Sequence, residues 1–222
     1  MSFEAAASET RERLAEALSL LNHLASTAPK DLAAANDVEK AMRGLWLVSI
    51  YGAFERSINA TVEQAIHEIT SHQSPSLNCK PPIHSIFYYS QVQSLKDCGY
   101  SSVFDKASEI MVKVLSNEPI AQTENPLANM LQNVGANTLE LVIKFFGAPV
   151  LEIGKANAGR LNALRERRNA VAHGRESAAQ VGERYRVEEL RKLYEVVDYE
   201  LARFQLHMKE FCEKKMYIRR AA

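Results

Sequence analysis

The stretch Arg160-Leu-Asn-Ala-Leu-Arg-Glu-Arg-Arg-Asn-Ala-Val-Ala-His-Gly174 governs the interpretation of the whole chain. It predicts a helix over about 158–173, because apolar residues recur at helical spacing and Gly174 stands where helices commonly end. The last turns of this helix carry Arg168, Asn169 and His173. The side expected to face the core is marked roughly by Leu161, Leu164, Val171 and Ala172.

Arginine is concentrated around this helix. The chain as a whole has 27 basic and 27 acidic residues, so nothing in its net charge requires a nucleic-acid partner. Residues 160–191, however, carry eight Arg, five Glu and no Lys. Two interpretations are open: a solvated helix surface with paired charges, or a phosphate-binding patch, since a guanidinium group offers phosphate a planar fork of donors.

The rest of the chain has the composition of a helical protein. Hydrophobic residues make up 46% of it, and there are only nine Gly and seven Pro. Apolar periodicity predicts further helices over 2–27, about 36–72, 102–115, 126–134, 137–146 and 187–218. Loops are expected over 73–86, between Gly154 and Gly159, and over 175–182. We therefore predict an all-α fold, an antiparallel up-and-down bundle of long and short helices, in one domain spanning 1–222.

The cysteines and the N-terminus predict a cytoplasmic protein. Cys79, Cys98 and Cys212 form no CxxC pair, which is typical of free thiols in a reducing compartment. The N-terminus lacks a secretion signal and no apolar run reaches the ~18 residues of a membrane span, so no membrane partner is expected. The spacing of His72, Cys79 and His84 fits no zinc pattern, and neither a metal nor another cofactor is expected.

The pattern Arg168-Asn169-x-x-x-His173, late in an all-helical chain, resembles the signature of HEPN ribonucleases. The surrounding letters RRNAVAHG resemble the bacterial RiboL-PSP branch of that family. So do LELVIKFFGAP at 139–149, which is similar to the hydrophobic helix and turn before the motif, and SIYGAFE at 49–55, which is similar to the second helix. The resemblance implies an endoribonuclease that needs no metal and acts in a toxin–antitoxin or phage-defence setting. It also implies a two-fold homodimer that pairs its motif helices at one composite site.

The residue types suit this chemistry. Histidine transfers protons near neutral pH, so His173 can serve the ribose 2′-hydroxyl and the leaving 5′-oxygen. Arg168 can stabilise the charge on the phosphorane, and Asn169 can orient His173 or contact phosphate. One His per chain fills the acid and base roles with difficulty, which the implied dimer would resolve. The residues expected to bind RNA around the motif are Arg165, Arg167 and Arg175.

Other interpretations remain open. A His at a helix end is commonly a cap or a partner of the helix dipole, and Arg168 could be an ordinary surface or interface residue. The chain would then be a non-catalytic HEPN-like module that binds RNA or a protein partner, such as an antitoxin or a regulatory protein, or a purely structural dimer. Glu55 on the second helix is a further candidate for the composite site, although a surface Glu needs no such role.

Overall fold

A computed structural model describes residues 2–27, 35–122 and 124–219 of the chain. This part of the chain forms nine α-helices and no β-strand, which confirms the predicted all-α class. None of these helices combines the length and the apolar character that crossing a lipid bilayer requires. The helices are α1 (Phe3–Thr27), α2 (Asp37–Ser71), α3 (Pro81–Phe87), α4 (Tyr89–Asp97), α5 (Tyr100–Val114), α6 (Ala136–Phe146), α7 (Lys155–Ala172), α8 (Ala178–Gly182) and α9 (Val187–Glu213).

Helix α2 is the central helix of the bundle, and α1, α7, α8 and α9 all pack against it. It begins with a capping box. The side-chain oxygen of Asn36 accepts from the backbone N–H of Glu39 at 2.9 Å, and the Glu39 carboxylate accepts from the backbone N–H of Asn36 at 2.8 Å. The apolar periodicity that predicted this helix corresponds to a buried stripe along α2, formed by Leu47, Tyr51, Phe54, Ile58, Val62, Ala65 and Ile69.

The prediction of an exposed loop over 73–86 is wrong in its second half. Pro81 begins α3, since a proline at the first helical position loses no hydrogen bond. Ile83 and Phe87 on this helix are buried, and α3 packs against α6. The segment after α9 covers the same region, with the Lys80 amide donating to the Tyr217 carbonyl at 2.8 Å. Helix α9 ends at Glu213 and not near residue 218, because Lys215 takes a left-handed backbone (φ 47°) and the Met216 amide donates back to the Phe211 carbonyl at 3.0 Å.

Several other predicted boundaries are corrected. Residues 126–134 form turns and a 3₁₀ turn instead of an α-helix, because side chains of α2 bind the carbonyls there. The phenol of Tyr51 donates to the Val134 carbonyl at 3.1 Å, and the side-chain amide of Asn59 donates to the Leu131 carbonyl at 3.0 Å. The predicted loop over 175–182 contains α8, α7 already begins at Lys155, and α4 was not predicted.

Two glycines bring α8 into contact with α2. A Cβ atom on Gly44 would lie 2.0 Å from the Ala178 carbonyl oxygen, and one on Gly182 would lie 1.9 Å from the Lys40 oxygen. The two helix backbones therefore touch, which only residues without a side chain permit. This contact returns the chain to the start of α2 directly after the motif helix, and so fixes both ends of the turn that follows His173.

Candidate functional site

The C-terminal end of α7 is fixed by a Schellman motif. Gly174 has a left-handed backbone (φ 66°), and its amide donates to the Val171 carbonyl at 3.1 Å. The Arg175 amide donates to the Ala170 carbonyl at 2.9 Å. His173 is thereby held as the residue that ends the helix, with its side chain exposed to solvent. The prediction that Gly174 terminates the motif helix is confirmed.

Arg168 lies between α7 and α2, where three groups hold its guanidinium. Its Nη2 donates to the Glu55 carboxylate at 2.6 Å and to the Gln132 carbonyl at 3.4 Å. The guanidinium carbon lies 3.9 Å from the centre of the Tyr51 ring, a cation–π contact. The Arg168 side chain is only 17% exposed. Its orientation is therefore set by α2 and by the segment before α6 together.

Tyr51 is both the surface on which Arg168 rests and a tie to the segment before α6. Its side chain is 1% exposed, and its hydroxyl donates to the Val134 carbonyl. Burial, reinforced by the negative charge of Glu55, raises the pKa of Tyr51 to about 12. The phenol therefore stays protonated and keeps donating this hydrogen bond throughout the neutral range.

Asn169 does not orient His173 in this structure. Its amide nitrogen donates to the side-chain oxygen of Asn133 at 3.0 Å. The His173 ring makes no hydrogen bond or ion pair within the part of the chain that the structure describes. On α7 the buried side is formed by Leu161, Leu164 and Ala170, while Ala172, which was expected to face the core, is exposed.

Three residues that contact the motif were not predicted from the sequence. They are Tyr51, Gln132 and Asn133, which contact Arg168 or Asn169. The SIYGAFE segment already carries Tyr51 and Glu55 one helical turn apart, so the aromatic-acid spacing was an available signal for one of them. Gln132 contributes only its backbone carbonyl, which no sequence pattern specifies.

The three arginines expected to bind RNA differ in their surroundings. Arg165 lies 3.0 Å from the carboxylate of its neighbour Glu166. Arg167 is 3.9 Å from Glu176, which also pairs with Arg184. Arg175 is exposed and forms no ion pair among the described residues. Much of the positive charge in this window is therefore balanced by nearby carboxylates.

His72, Cys79 and His84, which were considered as metal ligands, lie in different local surroundings. The Nδ1 atom of His72 is 2.6 Å from the Tyr217 hydroxyl, and the Nε2 atom of His84 is 2.8 Å from the Ser76 carbonyl. Burial raises the pKa of the Cys79 thiol to about 11. The described ranges contain no cluster of three or more His, Cys, Asp or Glu arranged to hold a metal ion.

The helical bundle and the Arg-Asn-x-x-x-His motif at the end of α7 define a HEPN-type domain. A family model described as RiboL-PSP-HEPN matches residues 8–212, so the chain belongs to that family. A comparison with curated proteins and another with solved structures each found no significant match.

Proposed function

We propose that this protein is a metal-independent endoribonuclease that cleaves RNA at a composite site formed by two copies of the chain. The observation that carries the proposal is the state of the two motif residues. Arg168 is held in one orientation by Glu55 and Tyr51, whereas His173, at the end of the same helix, is exposed and free to meet a substrate. One residue is fixed for charge stabilisation, and the other is available for proton transfer.

Arg168 retains donors for a phosphate. Glu55 and Gln132 engage Nη2, while Nη1 makes no hydrogen bond within the described residues. A phosphorane oxygen at Nη1 would meet a guanidinium that does not have to reorganise, since Tyr51 and Glu55 already hold it in place. Preorganised charge of this kind lowers the barrier because its ordering cost is met during folding.

His173 supplies the proton transfers. In the first step a neutral His173 accepts the proton of the ribose 2′-hydroxyl as that oxygen attacks phosphorus. The bond from phosphorus to the 5′-oxygen breaks, and a protonated imidazole donates its proton to that oxygen. The products are a 2′,3′-cyclic phosphate and a 5′-hydroxyl. A neutral and a protonated imidazole are required together, which one exposed His per motif helix does not provide.

A second copy would provide the other imidazole, and α2 has a surface suited to its approach. Leu45 and Gly52 lie on one side of α2 next to Tyr51 and Glu55. Leu45 is 56% exposed, and no heavy atom lies within 4 Å of the position that a Cβ on Gly52 would take. A small residue beside an exposed apolar one allows another helix to pack closely, here on the helix that holds Arg168 through Glu55.

The primary test is cleavage of single-stranded RNA by purified variants. His173→Ala should lose roughly 10²–10⁴-fold in rate while helical content is unchanged, because an exposed imidazole contributes little to packing. Arg168→Lys should lose roughly 100-fold, since an ammonium group cannot reproduce the planar fork. Asn169→Ala should lose less, and EDTA should change none of these rates. Cleavage by His173→Ala at the wild-type rate would refute the proposal.

Mixed dimers test whether the site is shared. One dimer combines a wild-type chain with a His173→Ala chain, so that it holds both arginines but a single imidazole. The matched control combines two differently tagged wild-type chains. Activity of the first dimer as low as that of the His173→Ala homodimer supports a composite site, because proton transfer then needs an imidazole from each copy. Half the activity of the control in the first dimer would show that each chain works alone.

A non-catalytic RNA-binding module is the second candidate, and it is favoured by the lack of a hydrogen bond that would orient the His173 ring among the described residues, since Asn169 binds Asn133 instead. It predicts that the wild type and His173→Ala bind RNA equally and that neither generates cyclic phosphate ends.

A further inference from the structure

Helices α4 and α5 form a hairpin with no buried residue on either helix. They pack against each other, and their main links to the rest of the fold are α3 and the 3₁₀ turn at Ser76–Asn78. The Lys106 ammonium group donates to the Ser94 carbonyl at 3.2 Å and to the Ser94 hydroxyl at 2.7 Å, which ties the two helices together. The hairpin is therefore a helical projection and not part of the core.

This projection exposes an unusually large apolar surface, which we call the hairpin patch. Its five members on and just after α5 are 61–84% exposed, and Tyr100 and Phe104 form an edge-to-face pair with ring centres 6.0 Å apart. At about 200 Å² for a large side chain, they expose roughly 700 Å², beyond the ~300–600 Å² of the largest patch on a typical monomer. The members are Tyr100, Phe104, Met111, Val112 and Leu115.

The charges around the hairpin patch argue against RNA or an anionic membrane as its partner. The hairpin carries three lysines and three acidic residues, so its net charge is zero. Nucleic acids and anionic lipid surfaces select an excess of Lys and Arg, which is absent here. A neutral surface with charges of both signs does not repel a copy of itself. The six charged residues of the hairpin are Lys96, Asp97, Asp105, Lys106, Glu109 and Lys113.

The area of the hairpin patch fits a contact between two copies. Two patches of this size would remove roughly 1,400 Å² from water, within the ~1,200–2,000 Å² of specific protein interfaces. Two antiparallel hairpins meeting about a two-fold axis would form a four-helix arrangement, in which each patch is covered by its equivalent. We infer that the α4–α5 hairpin is a self-association face of this protein and that its occupant is the hairpin of a second copy.

This face is distinct from the motif. Along α2, Tyr51 and Ser71 are separated by about 30 Å at 1.5 Å per residue, and the hairpin follows the end at Ser71. Pairing through the hairpins therefore does not depend on ribonuclease activity or on pairing beside Arg168. If both faces are used and their two-fold axes are perpendicular and intersect, the assembly closes at four chains.

The test is the mass of the full-length protein in solution. Phe104→Ser combined with Leu115→Ser should halve the mass measured by light scattering, whether the wild type is a dimer or a tetramer. The control combines Val150→Ser with Leu206→Ser, two exposed apolar residues elsewhere on the surface (83% and 58%), and should leave the mass unchanged. An unchanged mass in the hairpin variant, with unaltered circular dichroism, would overturn the inference.

Hydrogen exchange gives a second measurement that does not depend on substitution. Amides of residues 89–114 should be protected in the associated wild type and should lose protection on dilution, because no buried side chain holds these helices otherwise. A wild type that stays monomeric at high concentration would overturn the inference. So would protection of the hairpin that appears only when vesicles of mixed neutral and anionic lipid are added.

Discussion

Arg168 illustrates how one side chain can serve the fold and the site at once. A largely buried guanidinium needs partners for its charge, and Glu55, Tyr51 and Gln132 supply them, while its buried Nε makes no hydrogen bond among the described residues. The same contacts that remove the cost of burying the charge also fix the group in one orientation. A change at Glu55 should therefore disturb the position and orientation of the Arg168 guanidinium, while its positive charge remains.

Glu55→Gln tests this at the scale of single residues. The amide keeps the shape of Glu55 but loses the charge that holds Arg168, so we expect the cleavage rate to fall roughly tenfold through misplacement. RNA affinity should be equal or tighter, because one negative charge is removed from the site. The matched control is Glu166→Gln, which also removes a carboxylate beside an arginine but on the solvent side of α7. Equal losses in both variants would show that Glu55 has no specific role.

At the scale of elements, the contact of α8 with α2 determines where the chain goes after the motif. Helix α8 has only five residues, too few to be stable alone, and its N-cap Ser177 binds the Gln180 amide at 3.1 Å. Its position is set by backbone contact through Gly44 and Gly182. The buried Arg43 adds a hydrogen bond from Nη1 to the Tyr185 carbonyl at 3.2 Å, just beyond α8.

Alanine substitutions at these glycines should be strongly destabilising. In Gly44→Ala and Gly182→Ala the new methyl group would meet backbone oxygen atoms about 2 Å away, which no side-chain rotation relieves. We expect each to lower the free energy of unfolding by at least about 2 kcal/mol in a denaturant titration. Gly159→Ala, inside α7 with no atom within 4 Å, should instead raise it by about 0.5–1 kcal/mol. Similar effects at all three positions would contradict the close contact.

At the scale of the whole molecule, the distribution of charge matters more than its sum. The net charge is zero, and arginine is concentrated in residues 160–191. The structure shows that several of these arginines already face carboxylates, with Glu176 serving both Arg167 and Arg184. Exposed ion pairs are weak, at roughly 0–1 kcal/mol, so a phosphate can replace the carboxylate as a partner.

The salt dependence of RNA binding measures how many of these groups reach phosphate. In a His173→Ala background, replacing Arg165, Arg167 and Arg175 with Ala should reduce the slope of log affinity against log salt by about two, at ~0.7 per contact with a single strand. The control replaces Arg13, Lys209 and Lys214, which are ion-paired and lie on α1, on α9 and directly after α9, and should leave the slope unchanged. Equal slopes for all three proteins would identify the arginine window as a solvated surface.

The sequence by itself determined the elements with strong local signals. The apolar stripe of α2, its capping box and the left-handed Gly174 all depend on residues within a few positions of one another, and the structure has each of them. The pattern Arg168-Asn169-x-x-x-His173 belongs to the same class. Arg168 and Asn169 lie in the last turns of α7 and His173 caps it, so the resemblance of this short segment to the HEPN signature was enough to predict where a site would lie.

Only the tertiary structure decided which groups surround that motif and how short segments fold. The Glu55 carboxylate and the Gln132 carbonyl come from residues 113 and 36 positions away in sequence from Arg168. Asn169 binds Asn133 and not His173. Residues 126–134 form turns instead of the predicted helix, because side chains of α2 bind carbonyls in this segment. Short helices such as α3 and α8 exist because long-range packing supplies the stability that their own few hydrogen bonds do not.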